Sequence, residues 1–591
     1  MGLSSAVLTS PSWIFPESRS DEASELALLA NIPLVIARLL LERGVRTAAE
    51  AQRFLNPAME HLLDPYSMLG MRVAVARIQS AVRERETILI YGDYDVDGTT
   101  AIVLLKTAIE MLGGVVRFHV PHRLREGYGM QSTILADAAE AGVRLVISVD
   151  TGIRAFAEAE AAERLKLDLI VTDHHLPELA ALPRALAVLN PNQPGCEYPC
   201  KHLCGAGVAF KLAQALLEAD DPVRARSKIL PSFLKMLAIA TIADAVPLLG
   251  ENRIIASIGM EQLRHPVHPG LRALFQFAEL DPARRRLTSS DIAFRIAPRI
   301  NAAGRMDVAS EVVELFTTRD ADRARELAEK LDRLNSERRS EEAAILKQIQ
   351  ERLGERAFED VRCVVVDGDG WHRGIIGILA SRVVEQTGRP ALVIANEDGL
   401  SYGSGRSVPG FHLLDAVESC RDLFVRYGGH AHAVGFSLPS DRVAELRVRM
   451  AKYAAIHLPP GCLERPLECN AELPLDHITP ALYSVLRRME PLGMGNEEPV
   501  FVARRVRLAA PIRVIKERHI KVEVATTPVP GLRMRPRSVR FTALGWHWAE
   551  RAAKLGLQEG TVIDLAYRIR ENEHPDFGGG LELEIAGLEI C

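Results

Sequence analysis

Three short apolar runs in the first half of the chain, at 87–91, 144–149 and 167–172, each end in residues that ionise. The first leads into Gly92-Asp93-Tyr94-Asp95-Val96-Asp97-Gly98, the second into Asp150, and the third into Asp173-His174-His175. Amphipathic stretches separate these runs, with a further apolar run at 115–120, and the alternation specifies a parallel sheet covered by helices on both faces. Ligands of such sheets bind beyond the carboxyl ends of the strands, at the point where strand order reverses. Three strand ends thus bring carboxylates and imidazoles to one edge. A fourth contribution comes from Phe233-Leu-Lys-Met-Leu-Ala-Ile-Ala-Thr-Ile-Ala-Asp244, a helix so apolar that it carries Asp244 toward the interior.

Each signal has an ordinary reading when taken alone. An Asp-x-Asp loop is often a solvated turn, and a His-His pair often caps a helix or faces solvent. Their conjunction at predicted strand ends argues for a cation, because crowded carboxylates repel and a buried one needs a partner. Aspartates with histidine and no nearby thiolate suit Mn²⁺ or Mg²⁺, and the imidazole favours Mn²⁺. Two ions, with Asp150 able to bridge them, form the usual device for phosphodiester hydrolysis.

A chain of 591 residues exceeds one hydrophobic core and implies roughly three to five domains. Its formal net charge of −5 does not advertise a polyanionic partner, so any nucleic-acid affinity must be local. Such a surface occurs at 501–540, where eleven Lys or Arg face only Glu517 and Glu523. His519, Phe541 and Trp546 stand near it as stacking groups. Eight cysteines are too sparse for a disulfide framework and fit a reduced, cytoplasmic protein; Cys196, Cys200 and Cys204 lack the CxxC spacing of a zinc knuckle. The longest apolar segment, 234–250, is interrupted by Lys235 and Asp244 and is too short to span a bilayer. The reading is a soluble protein with no membrane partner.

Five segments follow: helices over 1–72, the α/β domain over 73–255, a helical connector with a long charged helix over 256–354, a second α/β domain over 355–460, and short strands with basic loops over 461–591. In the second α/β domain, Trp371-His372, Ser404-Gly405-Arg406 and Gly428-Gly429-His430-Ala431-His432 read as glycine-supported loops that let a phosphate chain approach closely.

The Asp-x-Asp-x-Asp-Gly run, Ser148-Val-Asp-Thr-Gly152, Asp173-His174-His175 and Ala243-Asp244 together resemble motifs I to IV of the DHH phosphoesterase superfamily. Leu203-Cys-Gly-Ala-Gly-Val-Ala-Phe-Lys211, Arg299-Ile-Asn-Ala-Ala-Gly-Arg305, Trp371-His-Arg-Gly-Ile-Ile-Gly377 and the GGHAH run extend the resemblance toward the single-stranded-DNA exonucleases of that superfamily. The resemblance implies an α/β fold: a DHH lobe and a DHH-associated lobe joined by a long helix around a cleft, followed by a C-terminal OB-fold β-barrel. It implies that Asp95, Asp97, Asp150, His174 and Asp244 hold two ions, with His175 beside the scissile phosphate. Asp93 is counted with His175 as catalytic, either binding an ion or supporting the ligands that do. Tyr91 stands where several members have a histidine.

By the same resemblance Arg123, Arg305, Ser404 and Arg406 anchor the 5′ end and backbone of the strand. Tyr128 stacks on a base or acts as a wedge, and Trp371, His372, Gly429, His430 and His432 complete the substrate surface. The implied activity is 5′-to-3′ degradation of single-stranded DNA to 5′-mononucleotides in recombination and repair, alongside a single-strand-binding protein and a helicase. Two alternatives remain at this point: a phosphodiesterase of short oligoribonucleotides or cyclic dinucleotides, and a non-catalytic replication scaffold.

Overall fold

The structure, a computed structural model, describes residues 13–122, 126–127, 129–178, 181–305, 308–353, 361–459, 466–527, 539–572 and 580–591. Its first sheet has five parallel strands in the spatial order Val115–His119, Thr87–Tyr91, Leu145–Val149, Asp168–Thr172, Ala187–Leu189. Chain order reverses between Thr87–Tyr91 and Leu145–Val149. The switch point therefore lies between the strand that leads into Asp93, Asp95 and Asp97 and the strand that leads into Asp150. Period-two alternation sends Ile88 and Ile90 into one core and Leu89 and Tyr91 into the other. Helices Met71–Arg83, Val96–Met111 and Gly205–Asp220 cover the first face, and Ser132–Glu140 and Phe156–Arg164 the second.

The 33-residue helix Ala321–Leu353 joins two cores. It buries Ala324, Leu327, Ala328 and Leu331 in the first lobe, then Ile345 and Ile349 in the second. The second sheet runs Arg426–His430, Ala433–Pro439, Leu400–Arg406, Ala391–Glu397, Val364–Asp369, with only the last pair parallel. This corrects one expectation. Ser404, Gly405 and Arg406 lie within a strand, as do Gly428, Gly429 and His430; only Ala431 and His432 form the turn. Both strands are rich in glycine and poor in β-branched residues, so neither carries the usual strand signature.

The third sheet has seven strands, Ala471–Glu472, Phe501–Leu508, Val562–Glu571, Leu581–Ile590, Arg540–Gly545, His519–Ala525 and Arg513–Ile515. Pairing of Arg507 with Ala525 and Leu508 with Val524 closes it into a barrel. Its buried cluster, which includes Phe501, Val522, Leu565 and Tyr567, continues into Ala23, Ile36, Leu40 and Phe54 of the N-terminal helices. The two ends of the chain thus pack together, and Trp13 pairs with Leu467 in a two-stranded ribbon. Among the described residues no single helix is long and apolar enough to cross a membrane.

One fully buried cation fastens this junction. Arg253 donates Nε to Phe54 O at 2.8 Å, Nη1 to Met489 O at 2.7 Å, and Nη2 to Arg488 O at 2.7 Å and Glu490 O at 3.1 Å. Its guanidinium lies 3.9 Å above the Phe54 ring, and burial pushes its pKa down to about 9. Replacing Arg253 with methionine keeps roughly the volume but takes the guanidinium donor from Phe54 O, Arg488 O and Glu490 O, while Met489 O keeps Asn496 Nδ2, so stability should fall by about 3 kcal/mol or more. A urea unfolding midpoint unchanged from the wild type would contradict this.

Candidate metal centre and its cleft

The Gly92–Gly98 run becomes a helix start. Asp95 caps Val96–Met111, its carboxylate accepting from Asp97 N at 2.9 Å and Gly98 N at 3.0 Å. Asp97 points instead at the next helix, where its two oxygens accept from Gly205 N at 2.6 Å and Ala206 N at 2.9 Å. The positive end of Gly205–Asp220 thereby meets the buried side chain of Asp97. Gly205 is required for another reason as well: a Cβ there would lie 2.4 Å from Asp150 Oδ1.

Asp150 is buried and sits at φ +59°, a left-handed conformation that aspartate tolerates better than most residues. His174 stands at the centre. Its Nε2 is 3.3 Å from Asp150 Oδ1 and 3.9 Å from Asp97 Oδ2, and its Nδ1 is 3.9 Å from Asp244 Oδ2. Asp244 ends the apolar helix Leu230–Ala243 and turns its side chain, about a quarter exposed, toward the site. Three overlapping groups, Asp93/Asp95/Asp150, Asp97/His174/Asp244 and Asp150/His174/His175, each place their ligating atoms within 4.8 Å of one another. With Asn301 and Arg305 most of these residues line a pocket of about 280 Å³.

The electrostatics fit divalent cations. Burial, then the charges of Asp97 and Asp95, pushes Asp244 up to about 9. Burial and the neighbouring aspartates likewise carry Asp150 well above the carboxylate range, and burial followed by Asp97 raises Asp95. Asp244 Oδ2 is buried and accepts no hydrogen bond, which leaves a proton or a cation as its partner. Burial keeps His174 below the usual imidazole pKa and so neutral, the form that ligates metal. Hard oxygens with one imidazole suit Mn²⁺ or Mg²⁺.

Sequence reasoning passed over Asp173 as a working residue. It is buried, and its Oδ1 accepts from His174 N at 2.7 Å and lies 2.7 Å from His175 Nδ1, while its Oδ2 accepts from Ile153 N at 2.9 Å. Burial opposes its ionisation, yet His175 and these N–H groups hold its pKa below the ordinary value. Burial likewise works against a charged His175, but the Asp173 hydrogen bond and charge carry its pKa above the usual imidazole value. Nδ1 is thus engaged, and this contact orients the partly exposed ring on the wall of the cleft. Asn192 and Asn190 fix the same segment by donating to His174 O and His175 O.

The cleft continues to the second lobe as a space of about 910 Å³, with Ile153, Arg154 and His175 on one wall and Gly429, His430 and His432 on the other. Arg305 reaches across, donating Nη1 to Gly374 O at 2.5 Å. His372 Nδ1 accepts from Gly374 N at 3.1 Å and shapes that turn. Arg406 is half-buried beside Ser404 Oγ at 3.2 Å, and burial lowers its pKa; among the described residues it has no carboxylate partner. Trp371 does not join this surface. Its ring is 3% exposed, packs in the second-lobe core and donates Nε1 to Gln348 at 3.1 Å. Phe541 is similarly committed, packed against the barrel core, whereas Trp546 is 53% exposed with His519 at 5.0 Å. Arg123 and Tyr128 lie outside the described residues, as do Arg533, Arg535 and Arg537.

A flavodoxin-like sheet with this donor set at its switch point, facing a second lobe across a cleft, defines a phosphoesterase of the DHH class. Residues 87–241 match the DHH family, N-terminal domain; 360–455 match the DHHA1 domain; and 469–577 match the RecJ OB domain. The single-stranded-DNA-specific exonuclease RecJ of Bacillus subtilis (strain 168) is 37% identical over 490 residues, covering 82% of this chain and 61% of that protein's own length. The same-named protein of Dickeya dadantii (strain 3937) is 36% identical over 577 residues, covering 95% and 97%. The crystal structure of RecJ with Mn²⁺ from Thermus thermophilus has a TM-score of 0.79 at 28% identity, covering 98% of this chain and 79% of that one. Its Mg²⁺ complex has a TM-score of 0.74 at 27% identity, covering 98% and 78%. The chain belongs to the RecJ family of single-stranded-DNA-specific exonucleases.

Proposed function

We propose that the protein hydrolyses single-stranded DNA from its 5′ end, one nucleotide at a time, using two Mn²⁺ or Mg²⁺ ions. The observation that carries the reading is the convergence of Asp93, Asp95, Asp97, Asp150, His174, His175 and Asp244 on one cluster beside a two-lobed cleft whose far wall carries Gly429, His430 and His432. Asp95, Asp97, Asp150, His174 and Asp244 would hold the ions, with Asp93 beside them. Bound ions supply Lewis acidity and an attacking hydroxide at neutral pH. The new water oxygen–phosphorus bond replaces the P–O3′ bond, so the released nucleotide keeps its 5′-phosphate and gains a 3′-hydroxyl, and the shortened strand begins with a new 5′-phosphate.

His175, oriented by Asp173, presents Nε2 to the scissile phosphate. Arg406 and Ser404 bind the terminal 5′-phosphate, with His372, Gly429, His430 and His432 forming the rest of that wall. Arg305 bridges the lobes, and Arg123 and Tyr128 act on the same strand. Consumption of nicked or resected strands places the enzyme in recombination and repair in the cytoplasm, with a helicase and a single-strand-binding protein as partners that expose and cover its substrate.

Digestion of 5′- and 3′-labelled oligonucleotides of several lengths tests the reading. Labelled mononucleotide should appear first from the 5′ label. A preference for dinucleotides or RNA would overturn it.

The barrel supplies a separate prediction. Arg504 is neutralised by Glu472 and Asp564 at 2.8 Å each, whereas Arg513, Lys516 and Arg518 are exposed and form no ion pair among the described residues. Replacing these three with glutamine should flatten the slope of log Kd against log salt by about 2 for long strands. Cleavage of short oligonucleotides should change little. An unchanged slope would remove this hairpin from the strand path.

A further inference from the structure

Helix Ala297–Arg305 runs along the mouth of the metal centre. Asn301 and Arg305, four residues apart and so on one helix face, both line the pocket that contains Asp95, Asp150 and His174. Asn301 Oδ1 accepts from Val96 N at 3.1 Å. Val96 opens the helix capped by Asp95, and its N–H can only donate, so the amide orientation follows: Oδ1 faces Val96 and the Nδ2 group is left over. Among the described residues Nδ2 has no hydrogen-bond acceptor.

The helix has little freedom to move the amide away. A Cβ on Gly304 would lie 2.4 Å from Tyr94 O, so helix and metal-site loop are in backbone contact just beside Asn301. An amide donor held this firmly, in a pocket whose other wall is carboxylate, meets a specific need. A phosphate gathered among cations has two non-bridging oxygens, and charge on them must be matched by fixed donors as the phosphorus is attacked. A neutral donor does this without adding a charge that would compete with the ions for the aspartates.

We infer that Asn301 is a catalytic residue with two separate tasks. Its Oδ1 fixes the start of the helix that carries Asp97, and its Nδ2 donates a hydrogen bond to one non-bridging oxygen of the scissile phosphate. No proton is transferred. The inference rests on the phosphodiesterase reading of the site.

The test uses the full-length protein and 5′-phosphorylated oligonucleotides that carry a single Rp or Sp phosphorothioate at the first linkage. Asn301→Ala removes both tasks, whereas Asn301→Asp keeps an oxygen for Val96 and removes the donor. Both variants should lower kcat by about 10²-fold, with melting temperature and Kd for the strand in Ca²⁺ close to wild type for Asn301→Asp. In the wild type one diastereomer should react slowly in a way that thiophilic ions do not relieve. That penalty should vanish in Asn301→Ala, because the lost contact cannot be lost twice, while the other diastereomer keeps its metal-dependent penalty.

Wild-type kcat in Asn301→Asp would overturn the inference, and so would an unchanged pair of sulfur effects in Asn301→Ala, which would leave Asn301 only its helix contact. A wild-type protein that fails to cleave the unmodified strand would instead overturn the phosphodiesterase reading, and the inference with it.

Discussion

Replacing Asp97 with alanine should lower single-strand hydrolysis by at least about 10³-fold, or about 4 kcal/mol of barrier. Asp97 is the carboxylate on which three requirements meet. It accepts from Gly205 N and Ala206 N at 2.6 and 2.9 Å, it lies 3.9 Å from His174 Nε2, and it raises the pKa of Asp244, Asp150 and Asp95. Removing it deletes a proposed ligand and releases the N-terminus of Gly205–Asp220. A loss of activity in alanine alone could therefore be structural. Asp97→Asn separates the effects, because its amide oxygen still caps one N–H while the negative charge is gone. The asparagine protein should keep wild-type circular dichroism and bind the strand in Ca²⁺, yet remain as inactive as the alanine protein. Activity within about threefold of wild type in either variant, at saturating Mn²⁺, would refute the metal role.

The catalytic sheet was legible because its chemistry sits at strand ends. A run such as 144–149 announces a buried parallel strand through its apolar residues, and Asp150 follows it directly in the sequence. The long helix was equally plain, since 321–353 carries helical periodicity without a breaker. The second lobe was harder: Leu400–Arg406 and Arg426–His430 are strands whose small residues hide the period-two pattern. Trp371 illustrates a different limit. A tryptophan inside a polar, glycine-flanked motif looks like a ligand platform, but its burial depends on Gln348 and the core around it, which are distant in sequence or visible only in three dimensions.

The same limit explains the supporting residues. Asp173 was visible as part of Asp173-His174-His175, but its task depends on Ile153 N, contributed by another loop. Asn301 acts through Val96, 205 residues away. The closure of the N-terminal helices onto the barrel depends on Arg253, which in the sequence is one arginine among many. Ligand types can be recognised from local pattern, whereas the groups that orient them are recruited by tertiary contact.

Without a divalent ion the protein should lose thermal stability as pH rises from neutrality toward 9, and a saturating ion should abolish that loss. Asp244 titrates at about 9, and Asp150 and Asp95 are also raised, whereas in an unfolded chain all three ionise near about 3.9. Above pH 4 the metal-free folded state therefore holds protons that the unfolded state has released. The stability linked to those protons is fully present below about pH 4 and disappears as pH climbs through the folded pKa values. Each retained proton contributes a slope of about −1.4 kcal/mol per pH unit. Cation binding requires the carboxylates to ionise, so it displaces these protons and removes the slope at its source. Melting temperatures in EDTA should thus fall between pH 6.5 and 9, while those in Mg²⁺ stay level or rise. Asp244→Asn should make the EDTA curve shallower by the share of one proton while abolishing activity, because the amide has no proton to surrender and no charge to offer an ion. Metal-free melting temperatures that increase over this range, or parallel curves with and without Mg²⁺, would show that the aspartates are not strained in the way their burial implies.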